Sequence, residues 1–227
     1  CSPSEIFDGL TDAFIVLGLQ TSDPGTVMQI IAGIDQALWD LVARNQNKKL
    51  CNLFGVTSDS VKAYASGIHP KQVKERITFA LDRGFSSFKV KVGFGKETDQ
   101  LGLSEASGLI NASHQLMADA NQAWVSTSEA AENIQTLSRF NLTWIEEPLR
   151  ANASLSDWRS LKKFIDAPIA GGENLSTLDN VKTYWHKGMF KYMQPDIGKI
   201  GGFTGLLRIF GSQSRDSSND NIYCPHW

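Results

Sequence analysis

The feature that most constrains the fold of this chain is an alternation of strand-like and helical segments from about residue 60 onward. The strand-like runs are predicted at Val61–Ile68, Phe85–Val92, Gln115–Asn121, Leu142–Glu147, Pro168–Glu173, Lys191–Ile197 and Asn221–His226. The helical segments between them are predicted at Lys71–Arg83, Lys96–Ser113, Thr127–Arg139, Leu155–Phe164 and Thr177–His186. Such alternation is typical of βαβ units around a parallel sheet.

The number of strands favours an α/β fold of the TIM type, a (β/α)-barrel, over an open doubly wound sheet. No G-x-G-x-x-G motif follows the first strand, which disfavours a dinucleotide-binding sheet. A barrel of this type closes with eight strands, whereas seven are predicted here. We therefore expect a barrel over residues 59–227 whose last strand is absent, with a polar, loop-like segment at residues 211–220.

Residues 1–58 have a different, mostly helical pattern. Ser22-Asp23-Pro24 is a helix-start signal, because Asp23 can cap a helix and a proline in the first turn loses no hydrogen bond. Apolar residues then recur at helical spacing at Val27, Ile30, Ile31, Ile34, Leu38 and Leu41. This periodicity predicts one apolar helix face that packs against another part of the protein.

Composition and charge exclude several classes of function. The net charge of -2 gives no indication of nucleic-acid binding. The apolar run Ala13–Leu19 is too short to cross a membrane. The three cysteines, Cys1, Cys51 and Cys224, lack metal-binding spacing and leave one unpaired in any disulfide scheme. We therefore expect a cytoplasmic protein that binds neither nucleic acid nor membranes.

Polar or ionisable residues stand at the C-terminal ends of six consecutive predicted strands, where barrel enzymes place their active sites. In chain order they are Lys89 and Lys91, Asp119 and Asn121, Glu146, Glu173, Asp196, and His226. Taken singly, each has an ordinary structural explanation, such as a solvated strand edge or a turn residue. Six in succession at one face are better explained by function.

The two lysines on the second strand share a face, because side chains two apart on a strand point the same way. The apolar residues Phe88, Val90 and Val92 occupy the other face and are expected to pack on helices. Lys89 and Lys91 are therefore predicted to point into the barrel, where lysine is rare and usually paired.

The residue types suit proton abstraction assisted by a hard cation. Three carboxylates from adjacent strands match a divalent cation that prefers oxygen ligands, and the scarcity of soft ligands disfavours zinc. Such a cation can bind a substrate carboxylate and stabilise the charge that develops as the α-proton leaves. Lys91 is a candidate base, and Asp196 can orient His226 as a second acid or base. Two such groups on opposite faces permit either racemisation or loss of a β-hydroxyl.

The motifs in this order resemble the enolase superfamily, specifically its mandelate racemase subgroup. They are Phe88-Lys89-Val90-Lys91, Ala118-Asp119-Ala120-Asn121, Trp144-Ile145-Glu146-Glu147-Pro148, Gly172-Glu173-Asn174, Pro195-Asp196, Lys199-Ile200-Gly201-Gly202 and Pro225-His226. The resemblance implies a modified (β/α)7β barrel, with residues 1–58 as the helical part of an α+β capping domain. It also implies a homo-oligomer.

The resemblance also assigns roles to the site residues. Asp119, Glu146 and Glu173 look like ligands of Mg²⁺. Lys91 looks like the base on one face, with Lys89 tuning it or contacting the substrate carboxylate. His226, assisted by Asp196, looks like the acid or base on the other face. Asn121 occupies a position that often contacts substrate in this family.

These roles leave more than one function open. The first expectation is dehydration of an acid sugar, and the close alternative is racemisation or epimerisation of a 2-hydroxy acid. Muconate-type cycloisomerases and dipeptide epimerases are less expected, since the resemblance implies that they rely on an opposing lysine where this chain offers Asp196 and His226. A third reading, from another class, is a truncated, non-catalytic fragment that folds only with a partner, because the eighth strand is not among the predicted ones.

Overall fold

The computed structural model describes residues 1–56, 60–210 and 222–223. Its α-helices are α1 Pro3–Gln20, α2 Pro24–Asn45, α3 Leu50–Leu53, α4 Val73–Leu81, α5 Lys96–Leu109, α6 Thr127–Leu137, α7 Leu155–Phe164, α8 Leu178–His186 and α9 Gly202–Phe210. Its strands are β1 Ala65–Ile68, β2 Ser87–Lys91, β3 Gln115–Asp119, β4 Ile145–Glu146, β5 Ile169–Gly171, β6 Tyr192–Met193 and β7 Ile222–Tyr223. Ser138–Phe140 is a short 3-10 helix.

The chain divides into two compact units. The first comprises Cys1–Val61, Gly172–Gly188 and Met193–Trp227, and the second comprises Lys62–Gly171 and Met189–Tyr192. The first unit thus combines the N-terminal segment with two later segments of the chain. The assignment of residues 1–58 to a capping domain stays a prediction.

The second unit is a parallel α/β assembly, as the alternating pattern predicted. Strands β1 to β5 lie side by side in chain order, each parallel to the next. Helices α4 to α7 each contribute a buried apolar side, for example Ile77, Leu103, Ile134 and Leu161. On β2, Phe88 and Val90 are fully buried.

The strands are shorter than predicted at their C-terminal ends. The run predicted to reach Asn121 ends at Asp119, and the run predicted to reach Glu147 ends at Glu146. Asn121, Gln122 and Glu147 have left-handed backbone conformations, with φ of 44°, 62° and 41°. An extended strand cannot continue through such residues, so the chain turns away directly after each acidic side chain.

The first unit is built around the antiparallel pair of helices α1 and α2. As predicted, α2 begins after Asp23, whose side chain accepts a hydrogen bond from the Thr26 amide at 3.0 Å. Phe7, Met28 and Ile31 form the core of the pair. Within the described ranges, none of the helices combines the length and apolar character that a membrane crossing requires.

The predicted apolar face of α2 is only partly covered, which corrects the expectation that the whole face packs. Ile31 is 2% exposed, whereas Ile30 is 61%, Ile34 is 40% and Leu41 is 53% exposed. The buried side of α2 runs instead through Met28, Ile31 and the carboxylate of Asp35. The start of α9 packs on this side of α2, where the Thr204 amide donates to Asp35 Oδ2 at 3.0 Å.

Candidate active site

The second unit gathers two lysines and two carboxylates at the ends of three adjacent strands. Lys91 of β2 lies in register with Asp119 of β3, which lies in register with Glu146 of β4. The cross-strand register therefore places the three side chains in one row. Lys89, two residues before Lys91, points to the same side of the sheet, as predicted. We call these four residues the lysine–carboxylate cluster.

The contacts within the cluster are short. The Lys89 ammonium nitrogen Nζ donates to Glu146 Oε1 at 2.5 Å and lies 3.4 Å from Asp119 Oδ2. Lys91 Nζ donates to Asp119 Oδ2 at 2.7 Å. The side chains of Lys89, Asp119 and Glu146 are almost entirely buried, whereas that of Lys91 is 26% exposed. Lys91 is thus the cluster lysine that a substrate can reach.

The environment of Lys89 keeps its amine charged. Burial by itself lowers the pKa of Lys89, but the charges of Glu146 and Asp119 outweigh burial and raise this pKa above its usual value. Burial also excludes Lys89 from serving as a solubility device on an exposed edge, the ordinary explanation for a strand lysine. Lys89 is a fixed positive charge between two acids.

Asn121 belongs to the same group of contacts. Its amide N–H donates to Asp119 Oδ1 at 2.9 Å, and its side-chain oxygen accepts a hydrogen bond from Lys91 Nζ. The left-handed backbone at Asn121 is a conformation that asparagine adopts more readily than most residues. The turn after β3 therefore brings a polar side chain to the reachable lysine.

Two aromatic residues near the cluster were not among the predicted site residues. The Trp144 indole Nε1 donates to Glu146 Oε2 at 3.2 Å. The ring of Tyr64 lies 5.3 Å from Lys89 Nζ, in a cation–π arrangement. Trp144 stands two residues before Glu146 in the sequence, directly before β4, so the W-x-E spacing held a signal for the first contact. Tyr64 lies far away in sequence and gave none.

The first unit carries a second polar group, on the segments that follow β5 and β6 in the sequence. Asp196 Oδ1 accepts a hydrogen bond from the Gly198 amide at 2.7 Å, and Lys199 Nζ lies 3.8 Å from Asp196 Oδ2. Lys199 Nζ also donates to Asn174 Oδ1 at 2.9 Å, and Asn174 donates to Glu173 Oε1 at 3.1 Å. These contacts join Glu173 to Asp196 within this unit through Asn174 and Lys199.

The predicted metal ligands are divided between the two compact units. Asp119 and Glu146 lie in the second unit and Glu173 in the first, so their use as a ligand set stays a prediction. His226 lies outside the described residues, and so does its pairing with Asp196. Across residues 1–56, 60–210 and 222–223, no three acidic, histidine or cysteine side chains form a metal-binding group.

The family model described as enolase C-terminal domain-like matches residues 72–212, more than half of the chain. The chain belongs to the enolase superfamily. Its relatives bear the names of mandelate racemases and acid-sugar dehydratases, in agreement with the subgroup that the motifs indicated.

Three relatives illustrate the likeness. The L-talarate/galactarate dehydratase of Salmonella typhimurium is 30% identical over 213 residues, which are 91% of this chain and 53% of that protein. A mandelate racemase/muconate lactonizing enzyme from Bordetella bronchiseptica is 36% identical, with a TM-score of 0.92 over 100% of this chain and 61% of its own. An L-talarate dehydratase from Polaromonas, crystallised with Mg and L-glucarate, is 29% identical, with a TM-score of 0.84 over 100% of this chain and 64% of its own.

These matches confirm the TIM-type barrel class that the strand pattern predicted. They also set the extent of the likeness, because the chain spans about half the length of the curated relatives it matches. Cycloisomerases are present among those relatives, such as a D-galactarolactone cycloisomerase from Agrobacterium fabrum that is 28% identical over 82% of this chain and 50% of its own length.

Proposed function

We propose that this protein removes the proton next to the carboxylate of an acid sugar, with Mg²⁺ as cofactor, and that the reaction continues as a dehydration. The observation that carries the proposal is the lysine–carboxylate cluster, in which a reachable lysine lies beside buried acids at the ends of parallel strands. Relatives that are named acid-sugar dehydratases support the choice of reaction.

The donor chemistry of the cluster fits a hard divalent cation. Asp119 and Glu146 present buried carboxylate oxygens from adjacent, in-register strands, and oxygen is the ligand that Mg²⁺ prefers. We propose Glu173 as the third ligand. When bound, Mg²⁺ supplies positive charge for the substrate carboxylate and for the negative charge that develops during proton removal.

The two lysines then have separate roles. Lys91 takes the α-proton at Nζ, since its side chain is the more exposed of the two and is oriented by Asp119 and Asn121. Lys89 stays charged, holds Glu146 and Asp119 in place, and adds positive charge near the substrate carboxylate. Asn121 is placed to contact the substrate beside Lys91.

The second half of the reaction needs an acid on the opposite face. We propose that His226, oriented by Asp196, donates a proton to the β-hydroxyl as its C–O bond breaks and water leaves. The resulting enol becomes a 2-keto acid. If His226 instead returns a proton to the α-carbon, the outcome is racemisation of a 2-hydroxy acid. Structural relatives that are named racemases support that alternative.

A product assay separates the two outcomes. The chain is incubated with MgCl₂ and a library of acid sugars that includes L-talarate and galactarate, and 2-keto acid formation and optical rotation are followed. Dehydration predicts 2-keto acid, and racemisation predicts a change in rotation without it. Lys91→Ala should lower the rate by about 10²–10⁴-fold, whereas Lys96→Ala, at an exposed helix position, should not. If folded protein forms no 2-keto acid and causes no change in optical rotation, the proposal is refuted.

We also propose a cytoplasmic location and a homo-oligomeric state. The first is supported by the absence of a disulfide pattern among the three cysteines, two of which, Cys1 and Cys51, are free thiols. The second rests on resemblance to the family. Size-exclusion chromatography with light scattering would decide the oligomeric state directly.

A further inference from the structure

Both carboxylate oxygens of Glu146 have a hydrogen-bond donor from a different side chain. Lys89 Nζ donates to Oε1 at 2.5 Å, and the Trp144 indole Nε1 donates to Oε2 at 3.2 Å. Trp144 is 6% exposed and Glu146 is 1% exposed. A hydrogen bond in such a water-poor setting is stronger and more directional than one at the surface. The orientation of the Glu146 carboxylate is therefore fixed from two sides.

The indole itself is held by neighbouring rings. Tyr64 meets Trp144 edge-on, with 5.5 Å between ring centroids and planes at 82°, and Tyr192 lies 4.7 Å away on a tilted plane. We call Tyr64, Trp144 and Tyr192 the aromatic layer. Because Tyr64 also lies 5.3 Å from Lys89 Nζ, the aromatic layer contacts both donors to Glu146. An indole packed in this way has little freedom to swing its N–H away from the carboxylate.

We propose that Trp144 is a positioning residue for Glu146. The indole N–H of Trp144 donates to Oε2 of Glu146 and thereby fixes the orientation of the carboxylate toward Lys89 and toward a bound cation. A partner of this kind orients a metal ligand and tunes its affinity without touching the metal. The consequence for Mg²⁺ rests on the proposed function, because that proposal makes Glu146 a ligand. The hydrogen bond itself does not.

The chain offers a matched control at Trp158. This tryptophan is also buried, at 1% exposure, lies in the same unit and meets an aromatic ring edge-on, that of Phe190 at 4.9 Å. In the part of the chain that the structure describes, its indole nitrogen has no hydrogen-bond partner. Trp144→Phe and Trp158→Phe therefore make the same chemical change at similar burial, but only the first removes a donor to a carboxylate.

The first measurement needs no metal. In a ¹H–¹⁵N spectrum of indole-labelled protein, the Trp144 and Trp158 signals are assigned by their absence from the two phenylalanine variants. The Trp144 N–H should resonate downfield of the Trp158 N–H, and Glu146→Gln should shift the first and leave the second. If Glu146→Gln does not fold, the difference between the Trp144 and Trp158 signals of the wild-type protein is the test. Similar positions for both signals, or no response to Glu146→Gln, would overturn the inference.

The second measurement is the dissociation constant of Mg²⁺ by calorimetry. Trp144→Phe should weaken Mg²⁺ binding by about 10–100-fold, and Trp158→Phe should leave it unchanged. Equal weakening by both variants, or none by Trp144→Phe, would contradict the positioning role. If wild-type protein does not bind Mg²⁺, the metal part of the proposed function fails, while the indole spectrum still decides the role of Trp144.

Discussion

Lys89 illustrates how much of this site depends on single residues. The sequence predicted that it faces the barrel interior, because its neighbours Phe88 and Val90 are apolar. In the structure it is 2% exposed and lies on the same side of the sheet as Asp119 and Glu146. The sequence could not predict its partners, since the contacts to Glu146 and Asp119 depend on the register between strands. Residue type and alternation are local properties, whereas register is set by the whole sheet.

Replacing Lys89 should cost far more stability than replacing an exposed lysine. Lys89→Met removes the positive charge on which two buried carboxylates depend, so the free energy of unfolding should fall by about 3–5 kcal/mol. Lys96→Met breaks the exposed ion pair with Glu132 and should cost less than about 1 kcal/mol. Urea denaturation of both variants measures the difference. Equal losses of unfolding free energy in the two variants would show that the buried contacts of Lys89 with Asp119 and Glu146 add no more stability than an exposed ion pair.

Asp35 predicts a pH dependence of stability. Burial raises its pKa, although hydrogen bonds involving Thr204 oppose this. Because the pKa of Asp35 is higher in the folded protein than in the unfolded protein, its contribution to stability is fully present below the unfolded pKa, about 3.9. That contribution is lost as pH rises through the folded pKa of Asp35. The unfolding free energy of the wild type, relative to Asp35→Asn, should therefore fall as pH rises from about 4. Urea denaturation at a series of pH values measures both free energies. A difference between wild type and Asp35→Asn that stays constant with pH would contradict this prediction.

At the scale of elements, the strands and the helices up to α8 were largely predictable, but helix α9, Gly202–Phe210, was not among the predicted helices. The packing of the first unit was not predictable either. The start of α2 at Asp23 followed from local capping chemistry. The burial of Asp35 did not, because a carboxylate on an amphipathic helix is expected on the solvent side. Its place is explained only by α9, whose Thr204 amide donates to Asp35 Oδ2 at 3.0 Å. Long-range contacts of this kind leave no periodic signal.

The start of α9 requires glycine at position 202. Gly202 has a φ of 73°, and a Cβ atom there would lie 2.4 Å from Asp35 Oδ2. Gly202→Ala should therefore destabilise the protein by more than about 1 kcal/mol. Gly33→Ala, in the middle of α2 with no atom near its Cβ position, should stabilise it by about 0.5–1 kcal/mol. Thermal unfolding measures both. A neutral Gly202→Ala would mean that Asp35 does not pack against this turn.

At the scale of the whole molecule, the barrel class could be predicted because strand-like and helical segments alternate, with polar residues at the ends of six consecutive strands. The family could be predicted because the motifs around those residues resemble those of the enolase superfamily. The match over residues 72–212 confirms that prediction. The sequence pattern did not show that the proposed site residues are divided between two compact units. Asp119 and Glu146 are in one unit and Glu173 and Asp196 are in the other. Function therefore has to be measured on the full chain.

The most direct test of the central claim is α-proton exchange. The full chain is mixed with Mg²⁺ and pooled acid sugars in D₂O, and deuterium at the α-carbon is followed by NMR. We predict exchange or dehydration with wild-type protein and none with the Lys91→Ala, His226→Ala double variant or after removal of Mg²⁺ by EDTA. If folded wild-type protein that binds Mg²⁺ shows neither α-proton exchange nor dehydration, the proposal that the lysine–carboxylate cluster removes an α-proton is contradicted.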